Sequence, residues 1–111
     1  MTEQEKNYRD MNEYELQSEI ARLREKARKA EQLGILNEFA VYERKAILAA
    51  SYLVDPEDIK KGEMYRIEGD PDTYFQVDYL KGRFAWGYRL GGEKHTEALP
   101  ISMLRPLKEG K

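Results

Sequence analysis

The apolar residues of this chain keep a helical period as far as Asp55-Pro56 and a strand period after it. A period near 3.6 and a period of 2 place different residues on one face, so neither pattern settles into the other's structure. The switch demands an α+β chain with its helices first and its strands second.

Leu16, Ile20, Leu23, Ala27 and Ala30 are spaced four, three, four and three apart, which makes one apolar helical stripe. Asn12 is the expected N-cap, with Glu15 placed to complete a capping box. Gly34 is the expected terminator, because a left-handed residue past the last turn costs glycine nothing. A second helix is expected over about 37–53, capped by Asn37 and stopped by Asp55-Pro56. Its main stripe reads Phe39, Ala46, Ala50 and Leu53, widened by Leu36, Ala40 and Ile47. Two helices joined by so few residues form an antiparallel hairpin.

In the second half, 62–67 reads as a strand and Gly69-Asp70-Pro71-Asp72 as a turn. A hairpin follows. Phe75, Val77 and Tyr79 alternate with polar or smaller neighbours, and so do Phe84, Trp86 and Tyr88. A two-residue turn at Lys81-Gly82 sets Tyr79 opposite Phe84, Val77 opposite Trp86 and Phe75 opposite Tyr88. All six then lie on one side and read as the core wall. The other side carries Tyr74, Gln76, Asp78, Arg83 and Arg89. Pro100 calls for a strand edge or a break, hence a short strand and a tight turn over 98–104. Four or five short strands in so few residues suit a small, strongly bent barrel.

Charged residues form 36% of the 111, yet the net charge is only −2, which is not the strong positive field of a typical DNA-binding domain. Cysteine is absent, so neither a disulfide framework nor a cysteine zinc site is available. No apolar run approaches the ~20 residues of a membrane span. The opening Met1-Thr2-Glu3-Gln4-Glu5 is acidic and polar, unlike a secretory signal, and the expected location is cytoplasmic.

Catalytic patterns are weak. His95 is the sole histidine, in a polar loop, and no nucleophile-elbow glycines surround Ser18, Ser51 or Ser102. Asp70 and Asp72 are explained by turn chemistry, since a calcium loop needs several more oxygen ligands at regular offsets. Gly91-Gly92 lacks the strand before and helix after that a phosphate loop requires. The expectation is a non-enzyme with no cofactor and no metal.

Three features point to binding. Arg22, Lys26 and Lys29 line one flank of the first helix, and Arg24 with Arg28 the other. Such flanks can neutralise phosphates, although Glu19, Glu25 and Glu31 stand at pairing distance. The outward hairpin face around Tyr74, Arg83 and Arg89 is a candidate contact surface. The wide apolar arc of the second helix suits either a covering barrel or self-association into a dimer.

The stretches 37–45 (NEFAVYERK), 84–89 (FAWGYR) and 97–102 (EALPIS) resemble the YfhH family of Bacillota, over about residues 8–105. That resemblance implies a helical hairpin followed by an SH3-like barrel. The family carries a label of transcriptional regulator and no established catalytic or ligand residues. The expected organisation is a polar tail over 1–11, a helical hairpin over 12–54, an SH3-like barrel over 55–106 and a tail over 107–111, in one domain. The expected role is an interaction module that contacts nucleic acid or the transcription apparatus. The alternative is a protein–protein adaptor with no nucleic-acid contact. A protein partner, a nucleic acid or both are the expected partners, with no membrane.

Overall fold

Asn12 opens the first helix as its sequence context predicts, in a computed structural model that describes residues 7–107. Its side chain accepts the Glu15 N–H at 2.8 Å, and the Glu15 carboxylate accepts the Asn12 N–H at 3.0 Å. Two otherwise orphaned backbone donors are thereby satisfied. Helix α1 runs Glu13–Gln32 and buries Leu16, Leu23, Ala27 and Ala30, the expected stripe, with Ile20 half-buried.

Gly34, at φ 77°, ends α1 in a Schellman turn. The Gly34 N–H reaches the Glu31 carbonyl at 3.0 Å and the Ile35 N–H reaches that of Ala30 at 2.9 Å. This turn displaces the expected start of the second helix. The Phe39 N–H already bonds the Ile35 carbonyl, so α2 runs Leu36–Ser51 with Ile35 at its N-cap and no side-chain cap. Asn37 sits inside the first turn and caps nothing. The expected apolar face is met in part. Ala46 is buried, as is Ala49 beside it, and Phe39, Ile47 and Ala50 are half-buried, whereas Leu36 is 68% and Leu53 39% exposed. Before α1, Tyr8–Asp10 forms a single 3-10 turn, and the Tyr8 ring meets Tyr52 edge to face at 6.2 Å. Residues 1–6 of the expected N-terminal tail and 108–111 of the C-terminal one lie outside the described residues.

The chain parts into two units between Leu53 and Val54. In the second, a 3-10 turn at Pro56–Asp58 leads to strands β1 (Met64–Ile67), β2 (Asp70–Lys81), β3 (Phe84–Arg89), β4 (Glu97–Pro100) and β5 (Leu104–Pro106). They pair antiparallel in the order β4-β3-β2-β1-β5. Pro100 ends an edge strand, where its missing N–H breaks no ladder, and a 3-10 turn at Ile101–Met103 carries the chain to the opposite edge. The core comprises Ile59, Tyr65, Ile67, Phe75, Val77, Ala85, Leu99, Ile101 and Leu104. Buried Tyr65 keeps its hydroxyl satisfied by accepting the Lys60 N–H at 2.7 Å.

Two turns differ from expectation. The β1–β2 turn is Glu68-Gly69, with Gly69 at φ 86°, so Asp70-Pro71-Asp72 already belongs to β2. The β2–β3 turn is Gly82-Arg83, because Lys81 pairs with Phe84. Gly82 has φ 61° and Arg83 a negative φ. A two-residue hairpin of this kind wants glycine first, whereas a Lys81-Gly82 turn would force lysine into the left-handed region.

The larger correction lies within β2. Tyr79 pairs with Trp86, but Val77 pairs with Gly87, so the strand bulges at Asp78. One extra residue inverts the alternation of everything before it. Phe75 and Val77 therefore share the core with Ala85 and Gly87, while Tyr79, Phe84, Trp86 and Tyr88 lie on the opposite face. The six residues do not share a side. Gly87 makes this geometry achievable, since a Cβ there would stand 1.9 Å from the Gln76 carbonyl oxygen.

Candidate functional site

The bulge turns a presumed core wall into an aromatic surface. Across the β2–β3 ladder the rings of Tyr79 and Trp86 are parallel within 1°, with centroids 6.0 Å apart. Tyr79 is 46% exposed and Trp86 partly so. Register extends the same face to Ala98 on β4, opposite Trp86, and to Pro100, opposite Phe84. On the other side, Tyr88 pairs with Gln76, which pairs with Met64, itself 39% exposed. The Lys94 ammonium lies 4.5 Å from the Tyr88 ring centroid, a cation–π contact. The Gln76 amide donates to the Gly62 carbonyl at 2.7 Å, holding the β1 end of the surface to the preceding loop.

Sequence reasoning set Tyr79, Phe84, Trp86 and Tyr88 on the core side; the structure puts them on the opposite face, with Tyr79 exposed and the other three half-buried. A signal was present in β3, where Ala85 and Gly87 alternate with the large rings. Small residues on one face of a strand let a neighbouring backbone approach closely, and glycine within a strand often marks such an approach.

Of the residues expected at the outward hairpin face, Tyr74 is 43% exposed. Arg83 donates from Nη1 to the Val54 carbonyl at 3.1 Å. Arg89 bridges two acids, with Nε 2.7 Å from Glu97 Oε2 and Nη1 3.1 Å from Asp70 Oδ2. This guanidinium ties β2, β3 and β4 together at one end of the sheet. Arg83 and Arg89 thus each engage neighbouring groups, while Tyr74 stays exposed.

On α1, Arg22 forms a bidentate pair with Glu19 at 3.0 and 2.6 Å, and Arg28 pairs with Glu25. Each pair holds its carboxylate below the usual range of about 4.5, chiefly through the arginine hydrogen bond. Lys26 lies 5.8 Å from the Tyr42 ring centroid. Arg24 and Lys29 are exposed and make no ion pair among the described residues. The expected flanks are therefore partly neutralised by their own helix. At the turn between the helices Leu33 is 74% exposed. His95 is exposed in the 91–96 loop. Among the described residues no helix is long and apolar enough to cross a membrane.

A helical hairpin followed by a five-stranded antiparallel sheet, with parallel aromatic rings on the side away from its core, defines a small α+β protein. The chain belongs to the family described as Protein of unknown function (DUF1811), which it matches over residues 6–105. It is also 55% identical over 101 residues to the "Uncharacterized protein YfhH" of Bacillus subtilis (strain 168), a match that takes in 91% of this chain and 96% of that one. The family resemblance read from the three short stretches holds along almost the whole chain.

Proposed function

We propose that this protein is a non-enzymatic interaction module that binds a protein partner through the aromatic face of β2 and β3. The observation that carries the reading is the Tyr79–Trp86 pair, standing on the side of the sheet away from the core. Tryptophan and tyrosine dominate binding hot spots because they desolvate a large rigid area at small entropic cost. Around them stand Met64, Phe84, Tyr88, Ala98 and Pro100, with Lys81 opposite Phe84 and Lys94 over the Tyr88 ring, an apolar centre with cations at its margin. The strand order β4-β3-β2-β1-β5 and the 3-10 turn before β5 support an SH3-like barrel as the form of this module. A role in transcription is the version in which the partner belongs to the transcription apparatus. The cytoplasm is the proposed setting, in keeping with a chain without cysteine.

A second reading, nucleic-acid binding through α1, draws support from exposed Arg24 and Lys29. It is weakened by the carboxylates already paired to Arg22 and Arg28.

The test compares the intact protein with a Tyr79→Ala, Trp86→Ala double variant. Partners captured by the intact protein are identified and purified, and binding is then measured directly. A partner whose affinity falls at least about tenfold in the folded double variant supports the proposal. Unchanged affinity for every purified partner overturns it. Binding of single-stranded DNA or RNA that falls steeply with salt, and less steeply after Arg24→Ala with Arg28→Ala, would favour the second reading instead.

A further inference from the structure

The 3-10 turn at Tyr8–Asp10 and the helical hairpin enclose a groove of about 690 Å³. Its lining brings together cations from two helices, Arg22 and Lys26 of α1 and Lys45 of α2. One carboxylate, Glu19, stands among them, engaged by Arg22 and lowered in pKa first by that hydrogen bond and further by the charge of Lys45. The local charge is therefore positive even after Glu19 is counted. Lys26 and Lys45 make no ion pair among the described residues. The groove also has aromatic walls in Tyr8 and Tyr42, and buried Leu23 at its floor.

Like charges gathered in a recess repel one another at the expense of stability, and an anion seated between them reverses the sign of that interaction. The recess has the volume of a small-molecule site rather than the open convex surface a duplex backbone needs. Lysine serves phosphate as a point charge, and tyrosine rings offer stacking area to a planar group. We propose that this groove binds a small phosphorylated ligand of nucleotide size, with Lys26 and Lys45 on the phosphates and Tyr8 and Tyr42 beside the organic body. The site lies wholly within the helical unit and is independent of the aromatic sheet face, so either can fail without the other.

The experiment is a titration of the full chain at low salt with ADP, with pyrophosphate and with adenosine, followed by calorimetry and by backbone NMR. Saturable binding of ADP is expected, with weaker pyrophosphate binding and none of adenosine. Shift changes are expected at Tyr8, Met11, Leu23 and Tyr42. Lys26→Gln with Lys45→Gln should lower ADP affinity at least about tenfold, whereas Arg24→Gln with Lys29→Gln should leave it within about twofold. Absence of saturable ADP binding overturns the proposal. So does equal weakening by both double variants, which would mark diffuse charge attraction, and so do shift changes confined to other residues. The mapping uses the unaltered protein and decides the matter even if a variant folds poorly.

Discussion

Gly87 faces the Gln76 carbonyl so closely that a Cβ on it would lie 1.9 Å from that oxygen. This contact follows from the bulge at Asp78, which slides β3 by one residue against the first part of β2. The same slip moves Trp86 to the outer face, so the surface proposed for binding depends on a glycine at position 87.

Gly87→Ala should therefore be severe. The obstacle is backbone, not the end of a flexible side chain, so the strands must part or the bulge must move. We expect a loss of about 3 kcal/mol, at the upper end for overpacking. Gly92→Ala, with open space around it, is the control and should stay within about 0.5 kcal/mol. Urea unfolding of both variants checks this, and equal stability of the two would refute the bulged register.

Phe75 and Tyr79 lie on the same strand, and the register places them on opposite faces. Phe75→Ala should cost about 3–5 kcal/mol, as for a fully buried ring. Tyr79→Ala should cost no more than about 1.5 kcal/mol, the scale of an exposed ring pair. Trp86 fluorescence offers a second readout. Emission should lie to the red of a fully buried indole and be quenched in part by acrylamide, and removal of the Tyr79 ring should increase the quenching.

At the helix starts, Asn12 and Asn37 look alike in sequence and differ in structure. Asn12→Ala breaks a complete capping box and should destabilise by about 1 kcal/mol. Asn37→Ala removes no cap and should change stability by less than about 0.5 kcal/mol. Thermal unfolding of the two variants, measured side by side, distinguishes them.

The Glu19–Arg22 pair predicts a pH dependence. The folded state lowers the pKa of Glu19, so folding favours its ionised form. The associated stability is present above the unfolded-state value near 4.5 and disappears as pH falls through the lowered folded value. For an ion pair this exposed it should amount to less than about 1 kcal/mol. Glu19→Gln should accordingly be less stable than the parent at neutral pH, with the gap closing in acid. A gap that widened in acid would reverse the assignment.

The helical half was readable because its signals are local. Leu16, Leu23, Ala27 and Ala30 repeat with the helical period, and Asn12, Glu15 and Gly34 act on backbone within a few residues of themselves. The buried line of α2 was harder, since Ala46, Ala49 and Ala50 are equally apolar and the pattern alone does not rank them. The five strands fall within the expected four or five, and Pro100, which calls for an edge or a break, ends an edge strand, because a residue without an N–H has few places in a sheet.

The local code of this chain settles where its first helix begins and ends, where its period changes, and which family it joins. It does not settle which side of the sheet its aromatic residues occupy. A strand alternates strictly only while no extra residue enters it, and Asp78 has no composition that announces a bulge. That choice depends on the contact between Gly87 and Gln76 on a neighbouring strand, and on Phe75 and Val77 finding a core with Ile101 and Leu104 far along the chain. Such contacts exist only once the strands are assembled. They turn Tyr79 and Trp86 from an expected inner wall into an outer surface.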